Sequence, residues 1–228
     1  MKILATGALL AFLGGVGLAP AQADEIFDFD GELLEDGAPA PWEVRKVAGV
    51  PKFSVVPIEE RGGEKHLYLH SEQSSFSLNR RTDVSVPKGT RVSWSWKGEK
   101  LPYGKAADAR VGSKCDQGLQ VLLAFDNGTR LISYVWDTNA PVGGKPTTEG
   151  FGINFLGLGH IVKVIVVQSG KSKLGQWSTI ERDVVADYRS VYKGSPGKVV
   201  VIRVQSNSQY TGTEGAGYFS PITFTHPG

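Results

Sequence analysis

The chain has 228 residues, a formal charge of +2, 40% hydrophobic residues and a single cysteine. So balanced a charge, with no long basic run, excludes a global field that would draw the protein to nucleic acid or an anionic membrane. One cysteine excludes an internal disulfide framework, so stability must come from a packed core, and no run beyond the N-terminus is long and apolar enough for a membrane span.

Residues 1–23 read as a secretory leader. Lys2 is its charged end, Ile3 to Leu18 its apolar run, and Ala21-Gln22-Ala23 a small-residue cleavage site, with Ala19-Pro20 breaking any helix just before it. Residues 24–228 are then expected as one β-sandwich domain of an exported protein, periplasmic or secreted.

The elements that follow alternate with a period of two. Ile26 to Phe29, Trp42 to Lys46, Phe53 to Val56, His66 to His70 and Ser75 to Asn79 read as strands, with Gly31 to Pro41 a turn-rich connection. Thr90 to Lys97 is sharper, since Val92, Trp94 and Trp96 share one face. A long polar connection, Lys97 to Gly118, leads into Leu119 to Trp136, which reads as a hairpin closed by Asn127-Gly128 in a type I′ turn, where both central residues need positive φ. That turn sets Leu119, Val121, Leu123 and Phe125 opposite Trp136, Tyr134, Ile132 and Arg130 on a buried face. A second long loop, Asp137 to Gly159, ends in a Gly/Phe-rich stretch, and the β-branched run His160 to Gln168 predicts a strand covered on both faces. Gly175 to Val185 predicts a strand and Asp187 to Lys193 a short helical turn capped by Asp187. Val199 to Val204 and Tyr218 to Phe224 close the chain. This pattern predicts an all-β, two-sheet antiparallel sandwich of jelly-roll type.

Several motifs, in order and spacing, resemble one family. They are Trp94-Ser95-Trp96, Leu101-Pro102, Asp108, Asp116 before a strand ending at Phe125, Tyr134-Val135-Trp136 with Pro141-Val142-Gly143, Trp177, Arg182, Val184, Asp187-Tyr188-Arg189, Thr211-Gly212, Gly217-Tyr218-Phe219 and Ile222. Together they resemble a bacterial extracytoplasmic family catalogued only as a domain of unknown function, DUF3047. The resemblance implies a concanavalin-like jelly roll, a scaffold common among sugar-binding and sugar-cleaving proteins, and by itself implies no activity. The chain departs from that family's pattern where paired aspartates give way to Asp116-Gln117, an arginine to Gln120, an Asp-x-Asp-Asn-Thr-Gly loop to Asn207 through Gly212, and an asparagine to Asp183.

Candidate chemistry is sparse. His66 and His70, four apart on a strand, are roughly 13 Å apart and cannot share one ion, so they read as solvent-facing or edge residues. Loop 206–212 offers amide oxygens in place of carboxylates, and no metal or other cofactor is expected. Cys115, with His160 as a conceivable base, lacks any recognisable nucleophile context and reads as a buried or incidental residue. Trp94 and Trp96 suit either sugar stacking or the core, and Val92 on their face favours the core. Trp177, Thr179, Glu181 and Asp183 fall on one face of a strand, combining an aromatic platform with two carboxylates. The expected function is non-catalytic binding of a polysaccharide or cell-envelope component through Trp177, Glu181 and Asp183. The alternatives are a sugar-active hydrolase or lyase using Glu181 and Asp183, or a structural partner in an envelope complex.

Overall fold

The computed structural model describes residues 23–145, 147–150 and 160–227. Nearly all of the expected leader and the Gly/Phe-rich stretch before His160 lie outside these residues. Fourteen strands and one helix follow in order: β1 (Glu25–Phe27), β2 (Glu43–Ala48), β3 (Phe53–Ile58), β4 (Glu64–Glu72), β5 (Ser75–Ser85), β6 (Arg91–Lys100), β7 (Leu119–Phe125), β8 (Arg130–Asp137), β9 (Thr147–Gly150), β10 (His160–Ser169), β11 (Trp177–Asp183), α1 (Val184–Val191), β12 (Lys198–Asn207), β13 (Glu214–Phe219) and β14 (Ile222–Thr225). They form two seven-stranded sheets. The first runs β1-β14-β6-β13-β4-β3, with β11 on the other side of β6, and the second runs β2-β5-β12-β7-β8-β10-β9. The sheets face each other as a jelly-roll sandwich over one continuous apolar cluster. All pairings are antiparallel except β8 with β10, which run parallel.

The hairpin β7–β8 has the register that the hydrophobic pattern demands, with Leu119 opposite Trp136, Val121 opposite Tyr134, Leu123 opposite Ile132 and Phe125 opposite Arg130. Leu123, Phe125, Ile132, Tyr134 and Trp136 are fully buried. The turn itself differs from the expected type I′. Positive φ falls on Asp126 and Gly128 and not on Asn127, because Asp126 is drawn toward the start of β12. Its carboxylate accepts from the amides of Gly197 and Lys198, and its own amide donates to the Lys198 carbonyl. Asn127 instead accepts from the Thr129 amide and hydroxyl.

Two further expectations are corrected, and one strand carries an irregularity that the sequence does not announce. The C-terminal run splits into β13 and β14, broken by Pro221. The helix begins at Val184 and is capped by Asp183, whose carboxylate accepts from the Ala186 amide at 2.8 Å. Asp187 does not cap, since its oxygens already take both Nε and Nη2 of Arg182. Finally, β10 is bulged between Val166 and Gln168, so the side chain of Gln168 reaches Trp96 in the core and accepts its Nε1 proton at 2.8 Å.

At two positions between the sheets, glycine is required by close contacts. The ring of Trp136 lies over Gly98, and a Cβ built on Gly98 would sit 2.8 Å from that ring. A Cβ on Gly217 would meet the Lys97 carbonyl at 2.6 Å and Leu119 at 2.9 Å. The space so released is filled by Trp96 and Trp136, with ring centroids 6.0 Å apart. Gly98→Ala is therefore expected to cost roughly 1–3 kcal/mol by overpacking. A urea melt should show the midpoint fall with its slope unchanged, and an unchanged midpoint would refute this packing.

Candidate functional site

The outward face of the first sheet is built by strict alternation. On β6, Val92, Trp94 and Trp96 point into the core, so Ser93, Ser95, Lys97 and Glu99 point out. On β4, Leu67 and Leu69 point in, so His66, Tyr68 and His70 point out. Burial of Phe219 likewise sends Tyr218 outward from β13. The register then sets Trp177 and Tyr218 on either side of Lys97, with Tyr68 beyond Tyr218. This yields a row of aromatic side chains. Tyr68 and Tyr218 lie with centroids 4.7 Å apart, and Tyr218 and Trp177 6.3 Å apart. The Lys97 ammonium sits between the latter two, 5.5 Å from the Trp177 ring and 5.4 Å from the Tyr218 ring.

Trp177 is held from several sides and is half-buried. Its Nε1 donates to Glu60 at 2.6 Å, the Arg61 guanidinium lies 4.7 Å over its ring, and the His66 ring packs at 5.0 Å. Glu60 and Arg61 belong to a short 3-10 turn, Glu59–Arg61, between β3 and β4, which folds back onto the indole. The Trp177 hydrogen bond, seconded by Lys97, holds the Glu60 carboxyl below its ordinary range. Farther along, the Tyr68 hydroxyl donates to Glu99 at 3.3 Å, and burial, with the Glu99 charge adding to it, pushes its pKa up to about 12. Beyond it Glu214 joins Lys100 and accepts from His70 at 3.1 Å. The face ends in a cleft of about 400 Å³ lined by Glu72, Gln73, Lys100, Tyr103, Lys171 and Glu214. Tyr103 there is 62% exposed, with the Lys171 ammonium 5.8 Å over its ring.

Of the residues singled out from the sequence, Trp177, Glu181 and Asp183 all stand on the outward side of β11. Glu181 is exposed and ion-paired with Arg91 at 2.8 Å, and Asp183 caps α1. Trp94 and Trp96 are core residues, 2% and 0% exposed. His66 is not solvent-facing: although it points out of the sheet, Trp177 covers it and it is fully buried, whereas His70 is partly exposed beside Glu214. Cys115 is buried, and desolvation raises its pKa to about 11, so it stays a neutral thiol. The side chain of His160, its conceivable partner, lies outside the described residues.

Apart from Asp183, which caps α1, the positions that depart from the resembled family's pattern meet in one buried polar cluster. Asn207 donates to Asp116 and to the Cys115 carbonyl, and accepts from the Gln117 amide and Gln120. Asp116 also accepts from the Thr211 amide, and burial raises its pKa above the carboxylate norm. The cluster ties loop 206–212 to the start of β7. Among the described residues no group of three or more His, Cys, Asp or Glu is arranged to hold a metal ion.

Tyr68, Tyr218, Lys97 and Tyr103 are not among the binding residues that the sequence singles out, and Tyr218 enters there only within the motif Gly217-Tyr218-Phe219. Alternation alone sends Tyr68 outward, but nothing local says that β4, β13, β6 and β11 are neighbours.

Desolvation is the main influence lowering the His66 pKa. The unfolded chain, with a histidine pKa of about 6.5, therefore takes up the proton first, and stability is lost as pH falls below that value. The carboxylates whose pKa values are depressed, Glu60, Glu72, Asp108 and Glu214, act at lower pH. His66→Phe keeps the ring contact, so denaturant melts between pH 7 and 5 should show a flatter loss of stability than the parent. An identical slope would contradict the assignment.

Comparison with solved structures finds the same fold at low sequence identity. The xyloglucanase domain of NopAA, a type three effector from Sinorhizobium fredii solved with cellobiose, is similar with a TM-score of 0.50 and 12% identity, over 82% of this chain and 93% of that one. The family 11 carbohydrate-binding module of Lic26A-Cel5E from Clostridium thermocellum is similar over 91% of this chain and 96% of that one, with a TM-score of 0.44 and 10% identity. A search of curated proteins returns no match to the sequence. The family whose model matches is described as a protein of unknown function, DUF3047, and since that match runs over residues 40–223, the chain belongs to this family.

Proposed function

We propose that this protein is exported and binds an extended saccharide, of a polysaccharide or cell-envelope component, across the outward face of the first sheet without cleaving it. The observation that carries the reading is the aromatic row Trp177, Tyr218 and Tyr68, leading past ionised and hydroxyl groups into the cleft at Tyr103. Aromatic faces bury the apolar faces of sugar rings, while carboxylates, ammonium groups and hydroxyls bond the ring hydroxyls and fix orientation. Glu181, exposed beside Trp177 on the same strand, extends the polar margin of the face, and Asp183 holds that margin in place through its helix cap. The likeness in fold to a xyloglucanase domain solved with cellobiose is compatible with a saccharide ligand.

Glycoside cleavage needs a carboxylic acid and a carboxylate flanking one bond. On β11 Glu181 is ion-paired with Arg91 and Asp183 is committed to α1, which favours binding over hydrolysis.

The test is titration calorimetry with soluble β-glucan and xylan fragments on the parent, Trp177→Ala and Tyr218→Ala, beside a reducing-end assay. Each variant should lose about tenfold or more in affinity, some 1.4 kcal/mol, with no sugar released. Tyr218→Ala guards against the loss of fold that truncating a half-buried indole risks, and both are checked by thermal melts. Undiminished binding in folded Tyr218→Ala would overturn the reading, and release of sugar that stops in Glu181→Gln would replace it with the hydrolase.

A further inference from the structure

On the second sheet, burial of Ile202 and Val204 in the core sends Arg203 of β12 to the outward face. Its Cα lies opposite Asn79 of β5 on one side and Leu122 of β7 on the other. Its Nε donates to the Asn79 Oδ1 at 2.8 Å, an oxygen that also accepts from the Ser77 hydroxyl at 3.3 Å. Beyond β5, Arg45 of β2 stands opposite Ser77, and Gln205 stands opposite Ser77 on the other side. Arg203, Asn79, Gln205 and Arg45 are all partly exposed, so the group is reachable from solvent.

The electrostatics around Arg203 are lopsided. Desolvation, with the Arg45 charge adding to it, pulls the Arg203 pKa down to about 10. Among the described residues no carboxylate lies within ion-pair distance of Arg203; Glu43, opposite Asn79 on β2, is a strand farther away. A partly desolvated guanidinium without a counter-charge is an unfavourable arrangement in the free protein. An anion seated against it restores the missing charge.

We propose that the outward face of β2, β5 and β12 is a second binding site, specific for the carboxylate of an acidic saccharide, with Arg203 as its anchor. The planar fork of a guanidinium matches a carboxylate in two parallel hydrogen bonds. Gln205 and Asn79, both partly exposed, are neutral donors and acceptors of the kind that pair with sugar hydroxyls. The near-neutral overall charge argues against a nucleic acid as the anion. This site stands on the opposite sheet from the aromatic row and does not depend on it.

The experiment titrates tetragalacturonate into the full chain at low ionic strength, with cellotetraose and inorganic sulfate as controls. Tetragalacturonate is expected to bind, more weakly as salt is raised, and Arg203→Gln is expected to reduce its affinity at least tenfold while Tyr218→Ala leaves it unchanged. Asn79→Asp retains the acceptor atoms and gives Arg203 a counter-charge within the protein, so it is expected to raise the melting temperature and abolish uronate binding. That variant decides the matter should Arg203→Gln fail to fold. The proposal is overturned if tetragalacturonate does not bind, if sulfate binds and tetragalacturonate does not, if folded Arg203→Gln binds undiminished, or if Asn79→Asp still binds. Loss of binding in Tyr218→Ala would also overturn it, by moving the acidic saccharide to the first sheet.

Discussion

The structure depends on one steric bargain between its two sheets: glycines of the first sheet, Gly98 and Gly217, leave room for the large side chains packed around them, Trp96 of the same sheet and Trp136 of the facing one. Gly98 and Gly217 let backbone approach the facing sheet more closely than any side chain would allow, and Trp96 and Trp136 occupy the volume around them. Each buried indole also has a polar atom to satisfy. Trp96 uses the amide of Gln168, brought inward by the bulge in β10, and Trp136 donates to the Gly170 carbonyl at 2.9 Å. Irregularities of backbone and side-chain choice at this contact therefore answer one another. With a single buried cysteine and no disulfide, it is this packing that keeps the sheets in register.

Because β6 contributes Trp94, Trp96 and Gly98 to the core, its intervening residues are fixed as the floor of the outward face. Lys97 owes its place between Trp177 and Tyr218 to the burial of Trp96 and the absence of a side chain at Gly98. The aromatic row is thus preorganised by the core beneath it, and the 3-10 turn that clasps Trp177 removes most of its rotamer freedom. A ligand meeting such a face pays little ordering entropy, which suits a binding surface. At the far end, the buried cluster around Asn207 and Asp116 anchors loop 206–212, next to the cleft.

Much of this was legible in the sequence, and the limits were physical. Period-two alternation specified the inward and outward sides of β4, β6, β7 and β8, because a one-residue slip would expose every large apolar side chain. The hairpin register was therefore right even though its turn was not: Asp126 answers to amides some seventy residues away in sequence, which local turn propensity cannot see. The same blindness to long-range contacts moved the helix cap from Asp187 to Asp183, since Arg182 had already engaged Asp187. Alternation placed Trp177, Glu181 and Asp183 on one face of β11, but the neighbours of Trp177, Tyr218 and Tyr68, come from strands distant in sequence. His66 looked solvent-facing because alternation reports direction, not what lies above.

Four of the five tryptophans, Trp42, Trp94, Trp96 and Trp136, are buried in the core, and Trp177 alone stands on the outward face of the first sheet. The five indole N–H resonances in a nitrogen-15 proton correlation spectrum therefore report separately on the rigid core and on the aromatic row. On titration with a β-glucan oligosaccharide, the account predicts a progressive shift of the Trp177 indole resonance with the four core resonances unmoved. A Trp177 resonance that stays fixed at saturating saccharide, or shifts shared by all five indoles, would contradict it.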